Sequence, residues 1–222
     1  SVPSSSGLQV TGYTGDSTSP QLVSFTLNMN SGQLAVTFNE PVDVQSFDAQ
    51  QITLQSSSSA SAATYTLTGS ASAPSSVSPY RTVLVTLSSG DVVAVKALSG
   101  LAKSQANTFV SLTSNTVSDV AGNAVTSVSS SSGLQVTGYT ADSTSPQLVS
   151  FGLNMNTNTL TLTFDEPVNV GSVDVTQVQV QSAGDGSGVA YTLTGSASAP
   201  SSVSPYTSVQ IVLSSTDADA LK

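Results

Sequence analysis

The chain has 222 residues and carries 13 acidic against 4 basic side chains, a formal net charge of −9, yet charged residues make up only 8% of it. Hydrophobic residues, at 38%, suffice to build a core, while 45 serines and 27 threonines give a surface of neutral hydroxyls. Four basic residues cannot neutralise a phosphate backbone or hold an anionic membrane, which excludes nucleic-acid binding, and the absence of His, Cys and Trp removes thiol nucleophiles, imidazole bases, the usual zinc ligands and disulfides.

Period-2 alternation dominates from the first elements onward. Val23, Phe25, Leu27 and Met29 alternate with Ser24, Thr26, Asn28 and Asn30, and Leu34, Val36 and Phe38 alternate with Gln33, Ala35 and Thr37, so each run reads as a half-buried strand. Asn30-Ser31-Gly32 between them tolerates positive φ and closes a hairpin. Counting by two from Leu34 puts Glu40 on the core side of its strand just before Pro41, where a carboxylate needs backbone donors or a cation. Further strands are expected from Gln51 to Gln55, Ala63 to Thr68, Thr82 to Leu87, Thr108 to Thr113 and Gly133 to Tyr139. The stretch from Ser70 to Pro79 lacks periodicity, contains Pro74 and Pro79, and reads as a loop packed against something. From Ser88 to Lys103 the pattern changes: Ser89 as N-cap, Asp91 in the first turn, Lys96 later and Gly100 as a stop predict a helix of two to three turns.

At Ser132 the sequence begins again. Ser6 to Phe25 returns almost unchanged at Ser132 to Phe151, an offset of 132 − 6 = 126 residues, and Tyr65 to Tyr80 returns at Tyr191 to Tyr206 at the same offset. The two copies align without a gap, so the chain is a tandem repeat of period 126. In the second copy Val92, Val93 and Val95 become Ala218, Asp219 and Leu221, which suits a helix and would spoil a strand face. The divergent segment AGDGSGVA around Gly184 to Gly188 reads as a free hairpin tip; it lacks the Lys and the helix of a phosphate loop. Residues 1–17 are expected to be the end of a preceding repeat, 18–141 a complete repeat and 142–222 an incomplete second one, in a natural protein longer than this segment. No apolar run is long enough to insert in a membrane.

Asp16 to Pro20 and Asp142 to Pro146 open the copies, Phe38 to Val42 and Phe164 to Val168 carry a Phe-x-Glu-Pro-Val turn, and Asp119 to Asn123 closes the first copy with Asp-x-Ala-Gly-Asn. In these motifs the chain resembles tandem bacterial Ig-like repeats of S-layer and adhesin proteins, and its inserted helix resembles versions found in very large surface proteins of algae and other protists. The resemblance implies an all-β chain of Ig-like β-sandwich repeats with one short helix per repeat. It further implies an extracellular or cell-surface structural protein, not an enzyme, built into a filament, surface hair, stalk or surface layer through other repeats or neighbouring copies. The alternative is an adhesin stalk with calcium-stiffened junctions and glycan or partner binding.

The acids offer two readings. Asp16, Glu40, Asp43, Asp119, Asp142 and Glu166 could supply an oxygen shell for calcium near the junction between repeats; alternatively Glu40 and Glu166 cap strand ends by accepting backbone N–H groups. Asp165 and Glu166 are adjacent on a strand, point to opposite faces and so cannot flank one bond as a glycosidase pair; no catalytic residue is expected. Tyr80 and Tyr206, in the recurring SVSPY segments, are the candidate partner or glycan contacts, against the alternative of tyrosines at the core edge. The ten Asn residues include no Asn-x-Ser/Thr sequon, so any glycans would be O-linked; otherwise the neutral faces pack laterally against neighbours.

Overall fold

The computed structural model describes residues 7–59, 63–77, 79–203 and 206–222. Residues 1–6, 60–62, Ser78, Ser204 and Pro205 lie outside the described residues, and with them part of the expected preceding repeat and of both SVSPY segments. The described residues are all-β, with two short α-helices among them.

The alternating runs form β1 (Leu22–Asn28) and β2 (Gln33–Phe38), joined by the expected hairpin. Asn28 Oδ1 accepts from the backbone of Asn30 and Ser31, and Gly32 supplies the positive φ of 63°. After two 3-10 turns come β3 (Ile52–Gln55), β4 (Thr64–Thr66), β5 (Ser75–Val77) and β6 (Thr82–Thr86), then helix α1 (Ser89–Ala97), β7 (Phe109–Leu112), β8 (Leu134–Gln135) and β9 (Gly138–Thr140). One sheet has the order β5-β6-β2-β1-β9 and the other β4-β3-β7-β8. Phe25, Leu27, Leu34 and Val36 of the first sheet face Ile52, Leu54, Val110 and Leu112 of the second in one core, all of them nearly inaccessible. Burial of each such side chain contributes about 1.5–3 kcal/mol.

Three local expectations change. The helix is capped by Ser88, whose Oγ accepts from Asp91 N, one residue before the Ser89 expected from sequence. The presumed loop from Ser70 to Pro79 contains β5, an edge strand on β6 whose low-propensity Ser-rich sequence hides the pairing. The expected strand from Gly133 to Tyr139 is two strands in different sheets: β8 pairs antiparallel with β7, the chain crosses at the buried Val136, and β9 pairs with β1 in parallel.

The second copy gives β10 (Leu148–Asn154), β11 (Thr159–Phe164), β12 (Gln179–Gln181), β13 (Ala190–Thr192), β14 (Ser201–Val203), β15 (Ser208–Val212) and helix α2 (Ser215–Ala220). The β10–β11 register, Leu148↔Phe164 to Asn154↔Thr159, reproduces that of β1–β2, including the irregularity after the first pair. Its sheets are β10-β11-β15-β14 and β12-β13, around Leu160, Leu162, Leu193, Val209 and Ile211. The β12–β13 connection is a hairpin: Asp185 Oδ1 accepts from Ser187 N, and Gly186 has a φ of 77°.

Candidate functional site

Two acidic corners, one at the start of each copy, arise from the same local sequence. In each, an extended segment carrying Asp16 or Asp142 runs beside the turn that follows β2 or β11, which carries Glu40 or Glu166. The segment is held to the turn by its backbone. Gln21 N donates to Asn39 Oδ1 at 2.7 Å and Asn39 N to Gln21 O, as Gln147 N does to Asp165 Oδ1 and Asp165 N to Gln147 O. Asp165 is thus engaged by backbone, and both it and Glu166 lie in the bend after β11 instead of on the strand that the sequence suggested.

At the first corner Asp16, Glu40 and Asp119 come together, with one carboxylate oxygen of each within 4.8 Å of the other two. Asp119 sits in a tight turn closed by Gly122 and is almost fully buried. Asn123 donates to it twice, N to Oδ1 at 2.7 Å and Nδ2 to Oδ2 at 2.8 Å, and its Nδ2 also reaches the Asp16 carbonyl at 3.2 Å. The Asn123 side chain holds the Asp119 carboxyl below its ordinary range. Glu40 moves the other way: burial, then the neighbouring Asp16 and Asp119 charges, push its carboxyl up, and Arg81 offsets this only in part. Its Oε1 is buried with no hydrogen-bond partner, so the strand-end cap expected for Glu40 is not made by that atom. Three converging carboxylates, one with an orphaned oxygen, match the hard oxygen donors that calcium takes. Asp43 stands apart: its Oδ1 caps a 3-10 turn through Gln45 N at 3.0 Å.

At the second corner a lysine fills the equivalent place. Lys96, in the last turn of α1, puts its Nζ 3.0 Å from Asp142 Oδ1 and 2.7 Å from Glu166 Oε1 with a side chain only 9% exposed, and Thr144 Oγ1 also donates to Glu166 Oε1. Burial pushes the Lys96 ammonium down, but the hydrogen bonds to Glu166 and Asp142 outweigh it and raise it. Burial likewise pushes Asp142 up, and the bonds from Thr144 and Lys96 win and lower it. The junction is extended by Asn30, which accepts from Ser143 N at 2.8 Å and donates to Ser143 Oγ at 3.1 Å. In the sequence Lys96 is marked only as a charge late in the expected helix; its pairing with acids 46 and 70 residues away has no local signal.

The tyrosines divide. Tyr65 and Tyr191 donate to the buried Asp91 and Asp217, which also take Thr68 N and Oγ1, and Thr194 N and Oγ1. These carboxylates tie the first turn of each helix to the adjacent Tyr-Thr-Leu-Thr-Gly segment. Tyr80 and Tyr206 are instead exposed and held at positive φ, 65° and 71°. Tyr206 also lines a cavity of about 460 Å³ between α1 and the second copy, with Lys96, Ala97, Pro167 and Val168.

Among the described residues no helix is long and apolar enough to cross a membrane. No family model matches the chain, and no curated protein matches it. Among solved structures it is similar to the N-terminal part of the bacterial S-layer protein SbsC, at 16% identity over 60% of this chain and 26% of that one, with a TM-score of 0.33. It is similar also to domains 1–6 of SbsC, at 16% identity over 62% of this chain and 16% of that one, with a TM-score of 0.32. The S-layer protein rSbsC(31-844) gives 16% identity over 65% of this chain and 18% of that one, with a TM-score of 0.32. The chain thus spans between 16% and 26% of the length of the structures it matches.

Proposed function

We propose that this chain is a non-enzymatic repeat segment of an extracellular or cell-surface structural protein, in which Ig-like β-sandwich repeats join head to tail and, through hydroxyl-rich faces, side by side. A filament, surface hair, stalk or surface layer is the product. The observation that carries this reading is the joint between the copies: one segment leaves the first core as β8 and β9 and leads directly into β10, while Lys96 of the first copy is shared by Asp142 and Glu166 of the second. A joint built from the repeated sequence makes a rod whose length scales with copy number. Electron microscopy of the protein from its native source tests it. Ordered filaments or sheets with a repeating subunit are expected; separate flexible strings ending in a globular tip would overturn the reading in favour of an adhesin.

The adhesin reading is favoured by one specific feature, the meeting of Asp16, Glu40 and Asp119. In it calcium bound by these carboxylates stiffens the junction, and Tyr80 and Tyr206 meet a glycan or a partner. The chain should then melt at a higher temperature in millimolar calcium, and an unchanged melt removes calcium from the account. The abundant exposed hydroxyls are the proposed carriers of O-glycans, which the intact mass of native protein would reveal.

A further inference from the structure

In the first copy β1 and β9 pair in parallel, whereas every other strand pair among the described residues is antiparallel. The chain enters this copy at the N-terminal end of β1 and leaves it past the C-terminal end of β9, towards β10. Because the two strands run in the same direction, entry and exit lie at opposite ends of the pair. A pull along the chain therefore slides one strand against the other and loads all their cross-strand bonds at once. Had the pair been antiparallel, entry and exit would lie at the same end, and the same pull would open the bonds one after another.

The contacts across this pair run from Phe25 to Asn30. Thr137 N and Oγ1 both donate to Phe25 O, at 2.9 Å and 3.0 Å. Gly138, Tyr139 and Thr140 lie in register with Thr26, Leu27 and Asn28, and Met29 N donates to Thr140 O at 3.0 Å. Asn30 prolongs the series by accepting from Ser143 N at 2.8 Å. Gly138 permits the close approach, since a Cβ there would lie 3.0 Å from Thr26 Cγ2.

The core resists the same displacement. Phe25, Leu27 and Met29 on β1 and its turn are buried, as is Val136 just before β9, so sliding would drag apolar side chains out of their packing. It would also part the Tyr139 hydroxyl from Ala102 O, to which it donates.

We propose that the β1–β9 pair is a shear clamp, which gives the repeat a load-bearing function: tension entering before β1 is carried across the pair to β9 and on to the next copy without unravelling the sheets. The clamp rests on the head-to-tail reading above and adds the path that force takes through the repeat. Forced unfolding is governed by the barrier to the first rupture, and here that barrier is the simultaneous loss of the whole contact.

The chain has no cysteine, so introduced pairs give defined attachment points for single-molecule force spectroscopy of the 222-residue chain. Thr18→Cys with Ser145→Cys loads the pair in shear, and Ser31→Cys with Ser145→Cys loads it from one end, all three positions being exposed. At equal loading rate the rupture force should be severalfold higher in shear. The 145 − 18 = 127 residues between the shear handles should be released in one step, of about 440 Å at full extension. Gly138→Val should lower the shear force and leave the end-loaded force little changed, and Thr26→Gly in the same chain should restore part of the loss. Equal forces in the two geometries, or release of the shear-loaded copy in a series of small steps, would overturn the inference. The head-to-tail reading, tested by microscopy of native material, would survive that result.

Discussion

The buried acids show how much one side chain can decide. Asp91 is fully inaccessible, and its carboxylate holds together the helix start, the Tyr65 hydroxyl and the backbone and side chain of Thr68. Asp91→Asn keeps the shape but turns charge-assisted bonds into neutral ones and places a donor against donors. It should lower the stability of the first copy by about 1.5–3 kcal/mol in urea denaturation. Burial, with the bond to Asp91, pushes the Tyr65 hydroxyl up to about 12. A raised value means the protonated phenol is favoured by folding, so this contribution is whole below the ordinary tyrosine value and is lost as pH rises through about 12. Tyr65→Phe should remove that alkaline slope from the stability profile. Glu40 is raised as well, so its ionisation opposes folding as pH rises through its folded value. Glu40→Gln should therefore raise the melting temperature in calcium-free buffer at neutral pH and cancel any gain from added calcium.

At the scale of elements, the hairpin and the helix constrain each other. Gly32 sits at positive φ against α1, and a Cβ there would lie 2.9 Å from Val92 Cγ2. In the second copy Asn158 takes this place at a φ of 50°, and Val92 is replaced by Ala218. The two positions have changed together because only a smaller helix residue leaves room for a side chain on the turn. Gly32→Asn alone should destabilise the first copy by about 1–3 kcal/mol, and Val92→Ala in addition should recover most of it. Thermal unfolding of the single and double variants decides this. β5 makes the complementary point: its Ser-Ser-Val sequence has little strand preference, and pairing with β6 creates the strand.

For the whole molecule the decisive contact is Lys96 between Asp142 and Glu166. Lys96→Ala would leave two partly buried carboxylates facing each other without their cation, so small-angle scattering should report a broader range of inter-copy arrangements and the two copies should melt less cooperatively. The junction's pH window follows from its shifts. Asp142 is lowered, so its contribution is present above the ordinary carboxylate value and is lost as pH falls through the depressed one; Lys96 is raised, so its contribution is lost only as pH rises through a value above the ordinary lysine range. Scattering at neutral pH should therefore give the narrowest distribution, with broadening at both extremes.

The sequence by itself determined the all-β class, the hairpins, the two helices and the repeat, because strand alternation, turn chemistry, helix capping and self-similarity are local properties that a linear text displays. It also singled out Glu40 by extending the period-2 count of β2 towards the core, although the structure places the residue in the turn that follows the strand. Only the tertiary structure decided what the acids meet. Asp119 reaches Asp16 and Glu40 from 103 and 79 residues away through a turn closed by Gly122, whereas Asp43, nearer in sequence to Glu40, is consumed by a 3-10 cap. Only the structure, too, showed that the run from Gly133 to Tyr139, single in the sequence, divides between two sheets. A strand's partners lie outside its own sequence, so the edges of β7 and β1 decide which sheet each half joins.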